Sequence, residues 1–230
     1  SQESEQFTAY AFGDPQAYNL EEIQYFKDGI VNEIDNNKAV FGISLGDLVG
    51  DDLDLHLHYK NAIKQIGLPW YNVIGNHDMN YDAKIDEHSD ESFEQNFGSA
   101  NYSYNYGKVH FIVLDNILYP DPRDGKSYWG GFREDQLKFI ENDLKHVPKD
   151  HLIVLSHHIP LADNNGEWFR VEDRDRLFDL LAEYPNTLSL SAHTHIQQQL
   201  FYGKDKGFNR TKPHHEYNVG TTSGDWYSGV

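Results

Sequence analysis

Cysteine is absent from all 230 residues, which removes disulfides, thiolate nucleophiles and thiolate metal sites from consideration. Basic residues are scarce: 19 Lys and Arg stand against 37 Asp and Glu, a formal net charge of −18. Such a surface repels nucleic acid and anionic membrane at low salt, so no nucleic-acid partner is expected. A small phosphate ester is not barred, because bound cations dominate the field inside a site. No apolar run reaches the ~18 residues that a membrane span needs, and the polar residues 1–6 lack the basic and apolar parts of a signal peptide. No Gly-x-x-x-x-Gly-Lys-Ser/Thr loop occurs, so a nucleotide-dependent kinase or ATPase finds no support. The lack of cysteine tilts the expected location toward the periplasm or secretion rather than the cytoplasm.

What is present fits a globular α/β chain: 38% hydrophobic and 14% aromatic residues suffice for a substantial core. Five short apolar runs of strand length, at residues 7–12, 39–45, 70–74, 151–155 and 187–190, alternate with helical patterns. Leu20, Ile23, Phe26, Ile30 and Ile34 recur at helical spacing, as do Leu55, Ala62, Ile63 and Ile66, then Leu137, Ile140 and Leu144. A fourth helix is predicted over 172–182, and two adjacent strands, 102–106 and 109–115, around the turn Gly107-Lys108. Residues 197–202 and 216–220 read as late strands, and 82–90 and 119–129 as long, polar or Gly/Pro-bearing connections. Alternation followed by late hairpins implies mixed sheets in a single domain over 1–230, read as one excised from a longer multidomain chain.

Each of the five runs ends in potential metal ligands. Gly13-Asp14-Pro15-Gln16 follows the first, Gly46-Asp47 the second and Gly75-Asn76-His77-Asp78 the third. Ser156-His157-His158-Ile159-Pro160 follows the fourth and His193-Thr194-His195 the fifth. Parallel strands present their carboxyl ends along one edge, so all five clusters converge on one crevice. Any one cluster alone reads best as an ordinary turn; five in succession, each at a strand end, do not. Oxygen and nitrogen ligands of these types bind Mn, Fe, Zn or Mg, and two such ions suit phosphoryl chemistry.

This order of motifs, from Asp14 to His195, resembles the calcineurin-like metallophosphoesterase superfamily, whose pattern is Asp-x-His, Gly-Asp, Gly-Asn-His-Asp/Glu, a lone His, then Gly-His-x-His. The resemblance implies a four-layer α/β/β/α double β-sandwich with the metal site at the strand carboxyl ends. It further implies two divalent ions and hydrolysis of a phosphomonoester or phosphodiester, on a small molecule or a phosphoprotein. Carried over, Asp14, Gln16 and His195 hold the first ion, Asp47 bridges, and Asn76, His158 and His193 hold the second. His77 then donates a proton to the leaving alcohol, and Asp51 or Asp78 orients it. Four departures stand out. Gln16 replaces the usual histidine, a harder donor that favours Mn²⁺ or Mg²⁺ over zinc, and its Asp-Pro-Gln form resembles a subgroup rich in bacterial envelope proteins. Ala192 replaces a glycine, and Gly50 replaces the family's frequent second aspartate. Strand alignment alone would permit His157 as the lone histidine, but the spacing from Pro160 and the likeness of His158-Ile159-Pro160-Leu161 to the subgroup favour His158. Gln16 also supports a rival expectation, a metal-bearing binding domain without catalysis. Trp129, Trp168, Trp226 and Tyr227 are candidates for a substrate pocket, and Arg123, Arg133 and Arg170 for phosphate clamps.

Overall fold

The computed structural model describes residues 6–161 and 167–223; Trp226 and Tyr227 lie outside them. A three-stranded parallel sheet holds β1 (Ala9–Phe12), β2 (Phe41–Ser44) and β3 (Trp70–Asn72) in that order. A six-stranded mixed sheet contains β4 (Tyr102–Tyr106), β5 (Val109–Val113), β8 (Leu152–Ser156), β9 (Thr187–Ser191), β10 (Gln198–Tyr202) and β11 (His214–Asn218). Its order is β10-β11-β9-β8-β5-β4, with β5, β8, β9 and β11 parallel and β4 and β10 as antiparallel edges. A two-stranded ribbon pairs β6 (Ile117–Leu118) with β7 (Trp129–Gly130).

Side-chain alternation along the strands builds the layers. Phe41 and Ile43 of β2 meet Phe111 and Val113 of β5 and Val154 of β8 in one apolar layer between the sheets. Aromatic pairs tighten this layer: Phe41 meets Phe111 edge-on at 5.4 Å, and Tyr71 stacks on Tyr104 at 3.6 Å. On the outer face of the small sheet, Phe12 packs against Phe26 of α1 (Leu20–Gly29), and Phe26 stacks on Tyr59 of α2 (Leu55–Lys64). On the outer face of the large sheet, Ile112, Ile153 and Leu155 join Ile140 of α4 (Glu134–Leu144) and Leu177 and Phe178 of α5 (Val171–Ala182) in the main core. Each such fully buried aliphatic or phenyl side chain contributes ~1.5–3 kcal/mol. The result is the expected α/β/β/α arrangement with mixed sheets.

Three departures have local causes. The first helix stops at Gly29 rather than running through Ile34, and residues 31–33 form a 3-10 turn that still buries Val31. A short helix, α3 (Glu91–Phe97), follows the polar connection at 82–90; Phe93 and Phe97 anchor it, one turn apart, against His56. The connection 119–129 is closed at its base by the β6–β7 ribbon, so Trp129 belongs to a strand.

Candidate metal centre

The carboxyl ends of β1, β2, β3, β8 and β9 meet at one crevice, and backbone hydrogen bonds carry the pairing of β1 and β2 onward into the ligand loops. Leu45 N–H donates to Phe12 O, Asp14 N–H to Gly46 O, Gln16 N–H to Asp47 O and Gly50 N–H to Ala17 O. To follow this path the backbone enters the left-handed region at Asp14 (φ 50°), Gln16 (φ 42°), Asp47 (φ 51°), His193 (φ 70°) and His195 (φ 59°). A non-glycine residue held there costs about 1–3 kcal/mol and persists only where its surroundings fix it, a condition concentrated at functional sites. Five of the seven proposed ligands are held this way.

Asp47 lies at the centre, almost fully buried. Ligand atoms of Asp47, His158 and His193 lie within 4.8 Å of one another, and so do those of Asp14, Asp47 and His195. Asp47 is therefore common to two groups, as a bridging carboxylate requires. Among the described residues these are the only such His and carboxylate groups. Asn76 joins the group of His158 and His193: its Oδ1 is 3.1 Å from His158 Nε2, which is also 3.1 Å from Asp47 Oδ2. Gln16 is 1% exposed and donates Nε2–H to the Tyr18 hydroxyl at 2.9 Å, while its Oε1 is buried without a hydrogen-bond partner. An orphaned buried acceptor costs about 1–3 kcal/mol unless something satisfies it, and a cation held beside Asp14 and Asp47 would do so. The donor set of carboxylate, amide oxygen and imidazole fits divalent ions.

The two neighbouring histidines have different orientations. His158 shares its Nδ1–H with Leu45 O at 2.7 Å, which turns Nε2 into the crevice. His157 places Nδ1 2.9 Å from Ile159 O, with Asn116 beside it, and its Nε2 lies 3.5 Å from Glu216 Oε1 on the far side. The structure thus places His158, not His157, against the ligand groups.

Burial dominates the electrostatics. It pushes the Asp14 carboxyl up to about 8, with the Asp47 charge adding to the effect. It also presses His193 down to about 3 and lowers His195. For Asp47 and His158 burial is outweighed by their mutual attraction, so Asp47 falls to about 2 and His158 rises to about 9.

His77 stands at the rim, its side chain 27% exposed, with its N–H on Asp47 Oδ1 and its Nδ1 2.7 Å from Asp51 Oδ1. Of the two carboxylates considered for orienting it, Asp51 makes the contact. Asp78 lies beneath, fully buried, and accepts from the N–H groups of Leu48, Val49 and Gly75 and from His56 Nε2. Asp78, the other candidate for orienting His77, ties the second and third ligand loops together.

The arginines are committed elsewhere. Arg123 pairs with Asp121 and lies over the Trp129 ring, Arg133 pairs with Asp86 and Asp135, and Arg170 with Asp173. The rings of Tyr128, to which no sequence signal pointed, and of Trp168, a pocket candidate, both stand edge-on to His193, in a cavity of about 380 Å³ that also takes in Trp129, Ile159 and Glu167. Nothing in the spacing of Tyr128 singled it out. Tyr18, hydrogen-bonded to Gln16, was likewise missed, though it stands only two positions away.

Residues 7–197 match the family model described as calcineurin-like phosphoesterase. A curated protein of Arcobacter nitrofigilis named "Probable glycerophosphodiester phosphodiesterase GpdQ" is 28% identical over 163 residues, covering 69% of this chain and 57% of its own length. The chain thus spans somewhat over half of that relative. Among solved structures, a dimetal phosphatase from Danio rerio superposes with a TM-score of 0.63 at 13% identity, covering 94% of this chain and 87% of the other. The phosphopantetheinyl hydrolase PptH of Mycobacterium tuberculosis gives 0.59 at 14% identity, covering 95% and 94%. At these identities the likeness is one of fold.

Proposed function

Because the chain belongs to the calcineurin-like phosphoesterase family, we propose that it hydrolyses small phosphate esters at a centre for two divalent ions, with Mn²⁺ favoured. The observation that carries this reading is the position of Asp47, common to two groups of potential ligands. Two bound cations supply Lewis acidity and an activated water at neutral pH. The residues supply the rest. Asp14, Gln16 and His195 form one half of the site and Asn76, His158 and His193 the other, with Asp47 between them. His77 stands at the rim of the crevice, where its ring can protonate a leaving alkoxide, and Asp51 at 2.7 Å steadies the ring. The cavity of Tyr128 and Trp168 adjoins His193 and has room for the alcohol arm of the ester.

A phosphodiester of a small alcohol is the substrate class we put forward. The relative's printed name supports it, and the formal charge of −18 disfavours long polyanions. Saturation with Mn²⁺ should give about two ions per chain, and the loaded protein should hydrolyse small diesters, with activity abolished by chelation. Elemental analysis finding no bound metal after loading would remove the binuclear reading. Two bound ions without hydrolysis across a broad panel of mono- and diesters would favour a non-catalytic metal-bearing domain.

A further inference from the structure

Gln16 must be oriented before it can serve as a ligand. A carboxamide has one oxygen and one NH₂ group, and only the oxygen can hold a cation. The rotamer must therefore be fixed from outside, and the structure shows one partner for the amide, the Tyr18 hydroxyl, which accepts from Nε2 at 2.9 Å. With the NH₂ end engaged, Oε1 points into the buried interior, where it has no hydrogen-bond partner.

Tyr18 is itself held at the start of α1. Its N–H donates to Glu22 Oε2 at 2.7 Å, and Glu22 Oε1 accepts from the Asn19 side chain, which in turn caps the helix by accepting from Glu22 N–H. The ring lies over Gly50. A Cβ added at Gly50 would stand 2.5, 2.6 and 2.7 Å from three atoms of the Tyr18 ring, closer than real contacts allow. Two departures from the family pattern, the glutamine at 16 and the glycine at 50, thus meet on one tyrosine.

We propose that Tyr18 is a positioning residue that fixes the Gln16 amide with its oxygen toward the first metal, and that Gly50 is glycine because the Tyr18 ring needs the space. This rests on the reading of Gln16 as a ligand. It predicts that the three positions act as one unit on metal affinity, apart from any effect on turnover.

The test is calorimetric titration of metal-stripped protein with Mn²⁺, resolving two binding events. Gln16→Ala identifies the event to which residue 16 contributes. Tyr18→Phe keeps the ring and removes only the hydroxyl, and it should weaken that same event about tenfold, within the range usual for partners that orient a ligand, while sparing the other. In a Gln16→Glu background the two ligand oxygens are equivalent, so adding Tyr18→Phe should cost less than about twofold, a coupling that a double-mutant cycle reads directly. Gly50→Ala should reproduce the Tyr18→Phe loss, and the pair Gly50→Ala with Tyr18→Phe should be no worse than either alone. If Gln16→Ala weakens binding but Tyr18→Phe does not, or if Tyr18→Phe costs the same in both backgrounds, the positioning role is overturned and the ligand role stands. If Gln16→Ala changes neither event, the ligand role fails and the positioning role with it.

Discussion

Replacing Gly75 with alanine tests whether Asp47 is shared, because this glycine holds the space against which Asp47 is set. A Cβ at Gly75 would lie 2.0 Å from Asp47 N, 2.2 Å from Asp47 Oδ1 and 2.8 Å from Asp47 Cα. Two of these three atoms are backbone, so no side-chain rotation relieves the clash. Gly75 is in an extended conformation that alanine can adopt (φ −111°, ψ 173°), so the whole effect is one of space. Small-to-large changes in packed interiors cost about 1–3 kcal/mol, and a clash with backbone belongs at the upper end. For a domain of this size about 3 kcal/mol lowers Tm by roughly 6–12 °C. The informative readout is metal stoichiometry in protein that is still folded at 20 °C. Displacing a carboxylate common to both ligand groups must weaken both sites together, so Gly75→Ala should go from about two Mn²⁺ per chain to none at concentrations that saturate the wild type. If it loses one ion and keeps the other at unchanged affinity, Asp47 does not bridge.

Other expectations follow from the same geometry. His158→Ala should empty the second site, whereas His157→Ala should retain both ions and only lower Tm, because His157 Nε2 faces Glu216 rather than the crevice; metal analysis of the two variants decides. His77→Ala should keep both ions and lose ~10²–10⁴-fold in rate, more with alkyl than with p-nitrophenyl esters, and Asp51→Asn should show the same leaving-group bias more weakly. Asp78→Asn should lower Tm without that bias, since its carboxylate meets the backbone of Leu48, Val49 and Gly75. Metal binding should release protons: in the metal-free protein Asp14, raised to about 8, and His158, raised to about 9, both hold protons at pH 7. Ligands must lose them to bind, so affinity should rise with pH up to about 9; binding heats at pH 7 that do not vary with buffer ionisation enthalpy would refute this.

The strand ends were legible because apolar runs and ligand-type residues are both local signals. The five runs at 7–12, 39–45, 70–74, 151–155 and 187–190 each coincide with an observed strand whose ends differ from the run by at most two residues. The short helix α3 left less trace: over seven residues only Phe93 and Phe97 mark its buried side, too few to establish a period. The choice between His157 and His158 could not be made from strand alternation, because the chain turns out of the sheet just after Ser156. Which imidazole enters the crevice is set by Leu45 O, more than a hundred positions away. The pairing of His77 with Asp51 rather than Asp78 was hidden for a similar reason. Asp78 is adjacent in sequence, but the 3-10 turn of Asn76–Asp78 directs its carboxylate back onto Gly75 N–H.

What no sequence pattern displayed is the conformation in which the ligands are held. Asp14, Gln16, Asp47, His193 and His195 all occupy left-handed backbone, uncommon for any non-glycine residue and, unlike for Asp and His, not a region in which glutamine is enriched. If each costs even ~1 kcal/mol, the five together consume several kcal/mol, a large part of the 5–15 kcal/mol by which a domain is usually stable. The loops bear this through tertiary contacts. Asp14 accepts from His193 N–H, Asp78 from Leu48 and Val49 N–H, and Gln16 N–H reaches Asp47 O. The fold thus brings together ligand-type side chains that an unfolded chain would have to assemble from positions 14 to 195. Metal that binds only the folded state adds stability by mass action, about 2.7 kcal/mol at a hundredfold excess over Kd for each site. That gain is similar in size to the strain the loops carry, so the strained backbone and the metal site it builds are best understood as one energetic unit.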